Sequence, residues 1–530
     1  MDLPFDWSLP YPSRREPILA RNIVATSQPL AAQAGLEMLR RGGNAIDAAV
    51  ATAVAMTVLE PTTNGIGSDA FALVWHGGKV HGLNGSGRAP QALTRARFDG
   101  LEAMPRLGWD PVTVPGAVSA WKSLSARFGK LSFAELFLPA IVFARDGFPV
   151  APQTAQLWAR AAKKYANFPE WGRTFLFDGA APEAGQVIRL PDHARTLEAI
   201  AATGGDAFYT GDLAKRMTAA AEQGGGLLTP DDLANHRAEW VEPISIDYRG
   251  WTLHEIPPNG QGIAALMTLG MLNQVDLGGL QVDCPDVVHA QVEAMKLAFA
   301  DVHAQVGDPA TMTVSAADLL DPVYLKKRAA TASATTAGDP GHGAPKYGGT
   351  ILLVAGDADG SLVSLIQSNY EGFGSGIVVP GTGIAMQNRG ACFTLEKGHP
   401  NQVDGGKRPF HTIIPAMVTR GGRAAMAYGV MGGPMQPQGH VQVLSRLVDF
   451  GQNPQAALDA PRWQVQSGRS LLIESGFPDA VYEELARRGH EIEIVPDKTV
   501  RFGRGQAVFV LEDCLLGASD QRGDGQAVGM

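Results

Sequence analysis

The segment from Thr350 to Tyr370, TILLVAGDADGSLVSLIQSNY, constrains the fold more than any other part of the chain. Two apolar runs flank DADG, in which Asp359-Gly360 is the residue order tight turns favour, so the segment reads as a β-hairpin. In TILLVAG the apolar residues are consecutive rather than alternating. Such a strand has to be covered on both faces, which calls for a sheet between another sheet and a layer of helices. Thr350 stands at the head of that strand.

The residues before it are of the opposite kind. From Ala329 to Gly349 the chain reads AATASATTAGDPGHGAPKYGG, with no apolar period, and an exposed, mobile connection is expected. Near the start, SQPLAAQAGLEMLRRGGNAIDAAVATAVAMTVLEP predicts two Ala-rich helices packed closely together. Ser27 is the expected cap of the first, with Pro29 in its first turn and Gly42-Gly43 ending it. Asn44 caps the second, which carries Asp47 near its positive end. EPTTNGIGSDAFALVW then leads through a glycine loop into a strand, and a turn at Gly77-Gly78 returns the chain as KVHGLNGSG. Residues 131 to 240 mix helix signals with Gly and Pro and carry little that suggests chemistry. Val288, Val292, Met295, Phe299 and Val302 recur at helical spacing and mark a core-facing stripe.

The 530 residues, 45% of them hydrophobic, would suffice for several domains, but no biased tract or repeat divides them. One large interleaved domain is expected. The 44 basic residues are scattered among 53 acidic ones, for a net charge of −9, so no patch exists to neutralise nucleic-acid phosphates. Cys284, Cys392 and Cys514 are odd in number, without metal-ligand spacing, and read as reduced thiols. The first residues, MDLPFDWSLPYPSRREP, lack the basic cap and apolar run of a secretory signal. Ala48 to Leu59, the longest apolar stretch, is too short to span a bilayer. A cytoplasmic location with no membrane partner is the expectation.

A threonine hydroxyl becomes a useful nucleophile when a base lies beside it, and the residue's own freed α-amino group can be that base. Gly348-Gly349 ahead of Thr350 would permit unusual backbone angles at a scissile bond, and attack by Thr350 on the Gly349 carbonyl would release two chains. By itself a Gly-Thr pair opening a strand is ordinary. Downstream, GVMGGPMQPQGHVQVLSRLVDFG places Gly432-Gly433 before a helix marked by Val441, Leu444 and Leu447. N–H groups in such a place can face a developing oxyanion, although a plain tight turn has the same sequence. Ser368 and Tyr370 end the second hairpin strand, next to where Thr350 begins the first. The glycines of EGFGSGIVVPGTG are not followed by a helix, which excludes dinucleotide binding. HExxH, GxSxG and GxxxxGK[ST] motifs are absent, and neither a metal nor a cofactor is expected.

Together RRGGNAIDAAVA, VPG at 114 to 116, PPNGQG at 257 to 262, GDP at 307 to 309, GGT at 348 to 350, FGSGIVVPGTG, KRPFHTIIPAMV and GVMGGPMQPQG resemble the γ-glutamyltranspeptidase family along nearly the whole chain. The resemblance implies a mixed α/β fold, the four-layer αββα sandwich of two stacked, mainly antiparallel sheets of N-terminal nucleophile hydrolases. It implies cleavage into a large chain, 1–349, and a small chain, 350–530, that stay together as a heterodimer, pairing of such heterodimers being left open. Thr350 is implied as nucleophile, Gly432-Gly433 as oxyanion hole, and Ser368 as the hydroxyl assisting Thr350.

The substrate-binding positions depart from the family. Where its members hold a glutamate α-carboxylate with an arginine and two serines, this chain has Ser86, with Arg88 two residues on, and His411-Thr412. The acidic position that holds the α-ammonium falls on Cys392, and the polar position before it on Arg389. A thiol cannot supply the charge that stabilises a buried ammonium. Candidate substrate contacts are therefore Arg88, Tyr370, Arg389, His411 and Thr412. The stretch Phe393 to Lys407 is short, which suggests an open cleft. The leading expectation is an autoprocessed hydrolase of small γ-glutamyl or related amides, with water or an amine as acceptor. Next stands an acylase for a carboxylate-bearing acyl group without an α-ammonium, as in glutaryl-cephalosporin acylases or oxamate hydrolases. An unprocessed, non-catalytic binding protein is the alternative of another class.

Overall fold

A computed structural model describes residues 15–340, 349–496 and 499–530. The hairpin forms as the sequence predicts: strands Gly349–Gly356 and Leu362–Tyr370 pair antiparallel across the DADG turn. They occupy the middle of a seven-stranded antiparallel sheet. Ile23–Thr26 and Gln526–Gly529 continue it on one side, and Asp69–His76, Lys79–Asn84 and Glu239–Val241 on the other. A second seven-stranded antiparallel sheet lies over it, centred on Arg423–Val430 with Gly505–Val510 and Ala416–Arg420 as its neighbours. Both sheets draw strands from before and after position 350, so the two halves of the chain share one body.

The consecutive apolar residues of the first hairpin strand are explained by the layers. Ile351, Leu353 and Ala355 point into a core shared with the helices Pro29–Arg40 and Ala45–Leu59. Leu352 and Val354 point the other way, meeting Met417, Ala427 and Val508 of the second sheet. The far face of that sheet is closed by the helices Gly262–Leu272, Pro285–Gln305 and Met435–Phe450. The predicted Val288-to-Val302 stripe lies in this third core. The order is helices, sheet, sheet, helices, as expected, with a strand of the first sheet buried on both faces.

Asn44 caps the second helix in a reciprocal box, accepting from the Asp47 N–H while Asp47 accepts from the Asn44 N–H. The cap of the first helix differs from the expectation. Gln28 fills it, accepting from the Ala31 N–H, and the Ser27 hydroxyl instead donates to Glu60 Oε2 at 2.7 Å. A buried carboxylate is the stronger acceptor, and it takes the hydroxyl. Residues 330–340 form no helix or strand. Gly348, in the GGT triplet, lies outside the described residues.

Candidate active site

Thr350 faces a β-bulge. Gly349 pairs with Tyr370 and Ile351 with Gln367, so Ser368 and Asn369 together oppose Thr350 alone. The irregularity aims Ser368 at the threonine. Thr350 Oγ1 donates to Ser368 Oγ at 3.4 Å, and the same Oγ accepts from the Tyr370 N–H at 2.8 Å. Thr350 is 2% exposed and Ser368 is fully buried.

Three side chains that sequence reasoning missed complete this end of the strand. Gln436 Nε2 donates to Thr350 Oγ1 at 3.4 Å while its Oε1 accepts from the Ile414 N–H at 2.9 Å, which fixes the amide's orientation. Arg504 Nη2 donates to the Thr350 carbonyl at 3.3 Å, and its Nη1 is paired with Glu60 Oε1 at 2.6 Å. Glu60 is held in turn by Ser27 and by Thr63. Thr350 is thereby gripped at both its hydroxyl and its carbonyl.

Gly432 and Gly433 stand just before Pro434, the N-cap of the helix Met435–Phe450, with φ of 116° and 59°, a backbone region that disfavours side chains. Their carbonyls accept from the Met435 and Gln436 N–H groups. Gln261 Nε2 ties the Gly433 carbonyl to that of Thr412, at 2.8 and 2.6 Å. Among the described residues neither glycine's N–H has an acceptor. Gly433 is tied through its carbonyl to the N–H of Gln436, the residue whose side chain reaches Thr350, and the two glycine N–H groups lie at the positive end of the helix.

Tyr370 has a φ of 76°, unusual for a non-glycine residue and costing about 1–2 kcal/mol. The turn brings its ring beneath the Arg389 guanidinium, 4.6 Å from the ring centroid. Arg389 is fully buried. Its Nη1 donates to Thr412 Oγ1 at 2.7 Å and approaches Cys392 Sγ at 3.9 Å, while its Nε and Nη2 have no partner among the described residues. Burial raises the Cys392 pKa, which keeps the thiol neutral.

His411 is buried with its ring against Phe71, and its Nε2 meets Asp69 Oδ2 at 3.1 Å. Burial, with the nearby charges of Arg389 and Arg408, holds its pKa well below the usual histidine value. Asp69 begins the strand beside Ser368, in register with it, and is pushed up to about 7 by burial against the pull of Arg389 and of the N–H donors Gly87 and Gly116. Gly87 ends the strand-exit segment NGSG at 84 to 87, and Gly116 ends the VPG landmark. The two loops touch so closely that a Cβ on Gly116 would fall 1.6 Å from the Gly85 carbonyl oxygen.

Arg88 is placed with other partners. It donates to Asp308 Oδ2 and the Gly406 carbonyl, at 3.2 and 3.0 Å, and lines a cavity of about 580 Å³ with His236, Glu239 and Arg408. Thr350, Ser368, Tyr370, Arg389, Thr412 and Gly432-Gly433 are linked by contacts into one site, with His411 behind it, and Arg88 is not among those contacts. Elsewhere, His289, Glu293 and His490 bring three potential metal-ligand atoms within 4.8 Å of one another. The Lys296 ammonium already serves that cluster as its cation, 2.8 Å from Glu293 and 3.4 Å from His490.

Two facing seven-stranded antiparallel sheets between helical layers, with a threonine at the head of a central strand, are the architecture of an N-terminal nucleophile hydrolase. The gamma-glutamyltranspeptidase family model matches residues 31–530, and the chain belongs to that family of enzymes. It is 37% identical over 519 residues to the glutathione hydrolase-like YwrD proenzyme of Bacillus subtilis, covering 96% of this chain and 98% of that protein. It is 36% identical over 515 residues to the oxamate amidohydrolase proenzyme of Klebsiella pneumoniae, covering 94% and 97%. Among solved structures, a cephalosporin acylase from Bacillus halodurans superposes with a TM-score of 0.95 at 49% identity, covering 100% of this chain and 99% of that one. No helix among the described residues is long and apolar enough to cross a membrane.

Proposed function

We propose that the chain cuts itself between Gly349 and Thr350, and that the small chain 350–530 then uses Thr350 to hydrolyse amides whose acyl group ends in a carboxylate and carries no α-ammonium. In the first step Thr350 Oγ1 attacks the Gly349 carbonyl carbon and the peptide C–N bond breaks, leaving an ester that water hydrolyses. The freed α-amine is then the base. It takes the hydroxyl proton as Oγ1 attacks the substrate carbonyl, the oxyanion is met by the Gly432 and Gly433 N–H groups, and the leaving amine departs with that proton. Water enters by the same route to release the acid. Ser368 and Gln436 keep the attacking oxygen oriented, and Arg504 keeps the new chain end in place when the bond behind it is gone.

The observation that carries the choice of substrate is Arg389. A buried guanidinium with two unengaged nitrogens, set over Tyr370 and braced by Thr412, is built to take a carboxylate, and the neighbouring Cys392 offers no charge to an ammonium. The likeness to a cephalosporin acylase and an oxamate amidohydrolase agrees with this reading. The glutathione hydrolase-like relative supports the competing γ-glutamyl substrate. Hydrolysis of glutaryl-anilide and γ-glutamyl-anilide by the processed protein separates the two. Higher kcat/KM for the glutaryl compound is expected, and a strong preference for the γ-glutamyl compound overturns the proposal.

A further inference from the structure

Arg389 shares its surroundings with a buried acid that the mechanism above does not use. Asp69 and His411 come from distant parts of the chain and meet at 3.1 Å with neither side chain exposed. His411 precedes Thr412, whose hydroxyl takes the Arg389 Nη1 donor, and Asp69 lies opposite Ser368 in the sheet. The pair is therefore joined to the acyl site at two places, through the backbone from His411 to Thr412 and through the strand register from Asp69 to Ser368. Asp69 Oδ1 is saturated by two backbone N–H groups, so the pair changes charge by gaining or losing one proton shared with His411.

We infer that Asp69, acting through His411, is a specificity-determining residue that sets the net charge of the acyl pocket and thereby its preference for anionic over neutral acyl groups. This rests on the assignment of Arg389 as the carboxylate-binding residue. With the shared proton present, Asp69 and His411 together are neutral, Arg389 stands alone, and a substrate carboxylate is the anion that balances it. When the proton is lost, Asp69 itself balances Arg389, and an incoming carboxylate meets a neutral pocket holding a buried negative charge.

The other charges facing this region are already matched. Glu371 is paired with Arg106 and Lys164, and Arg408 with Glu239. Cys392, Tyr370 and Tyr209 stay neutral, all three raised by burial. The groups left to titrate against Arg389 are Asp69 and His411, and burial brings Asp69 to about 7.

The test is the ratio of KM values for glutaryl-anilide and uncharged butyryl-anilide, followed from about pH 6 to about pH 8.5. Titration of the Thr350 amine affects both substrates and cancels. At the acid end glutaryl should bind more tightly, and its advantage should shrink roughly tenfold or more across the range, since one proton is linked to binding. In Asp69→Asn, checked for processing on a denaturing gel, the advantage should persist to the alkaline end without a pH slope. A glutaryl advantage in the wild type that is flat with pH overturns the role of Asp69 and leaves the carboxylate assignment standing. A glutaryl advantage absent at every pH sinks both. Should Asp69→Asn fail to fold, the wild-type slope decides alone, and a slope surviving in a folded Asp69→Asn enzyme also overturns the inference.

Discussion

Arg504 donates to the carbonyl oxygen of Thr350 at 3.3 Å, across 154 positions of sequence, while the other arm of its guanidinium is paired with Glu60. A nucleophile that is also a chain end loses the peptide bond that would otherwise hold it. Under the scission proposed for Thr350, the planar fork of Arg504 would replace part of that restraint, joining the residue to the buried Glu60 carboxylate.

Arg504→Lys therefore keeps the charge near Glu60 but cannot serve both partners. The expected result is a kcat lowered by about ten- to a hundredfold with KM little altered, because the loss is of orientation rather than substrate contact. Steady-state kinetics on the processed variant check it. An unchanged kcat would remove Arg504 from the positioning of Thr350.

Thr350→Ala removes the hydroxyl and should abolish both scission and turnover. Thr350→Ser keeps hydroxyl and amine and should still be cut. A denaturing gel with sequencing of the smaller band reads both outcomes, the wild-type band beginning Thr-Ile-Leu-Leu-Val. Turnover of amides by an intact Thr350→Ala chain would exclude the proposed nucleophile.

Arg389→Gln retains a planar donor and loses the charge. A charge-assisted hydrogen bond is worth about 1.5–3 kcal/mol, so KM for glutaryl-anilide should rise roughly ten- to a hundredfold. The uncharged butyryl-anilide should show little of that change. Equal loss on both substrates would mean that the arginine supports the site without reading the carboxylate.

What could be read from the sequence was what local pattern encodes. The hairpin showed itself through its turn and double-faced apolar run, and the helix at Asn44 through its cap residue and the Asp47 charge near its positive end. Thr350 and Ser368 were legible together because a hairpin must bring its two ends side by side. Arg504, Glu60 and Gln436 were not, since no spacing announces a contact between positions 60 and 504. Asp69 carries no signal of its own in EPTTNGIGSDAFALVW, and the role proposed for it needs His411, 342 positions away. Arg88 illustrates the converse: its charge was plain in GSGRAP, but nothing in the pattern showed that Asp308 would engage it. The Ser27 cap was a sound choice by residue type, overridden by a carboxylate that arrives only with the tertiary fold.

Acid stability follows from the buried histidines. His193 is held at about 4, and His236 and His490 at about 3, chiefly by burial. In the unfolded chain each would titrate near the ordinary value of about 6.5. As pH falls below that value the unfolded state takes up protons that the folded state refuses, so stability is complete above it and declines toward the folded pKa values. Two other buried histidines drop out of this balance. His411 with Asp69, and His440 with Glu255 at 2.7 Å, each hold one proton as a pair when folded, the same number as the separated residues hold when unfolded at about pH 5.5. Urea unfolding of the processed protein between about pH 7 and about pH 5 should therefore show falling stability, with each unbalanced histidine adding at most about 1.4 kcal/mol per pH unit. Replacing His236, which stacks on Tyr209 with ring centroids 5.5 Å apart, by Gln should lower stability at neutral pH and flatten the slope. A stability that is level or rising toward pH 5 would mean that these imidazoles take up protons in the folded protein.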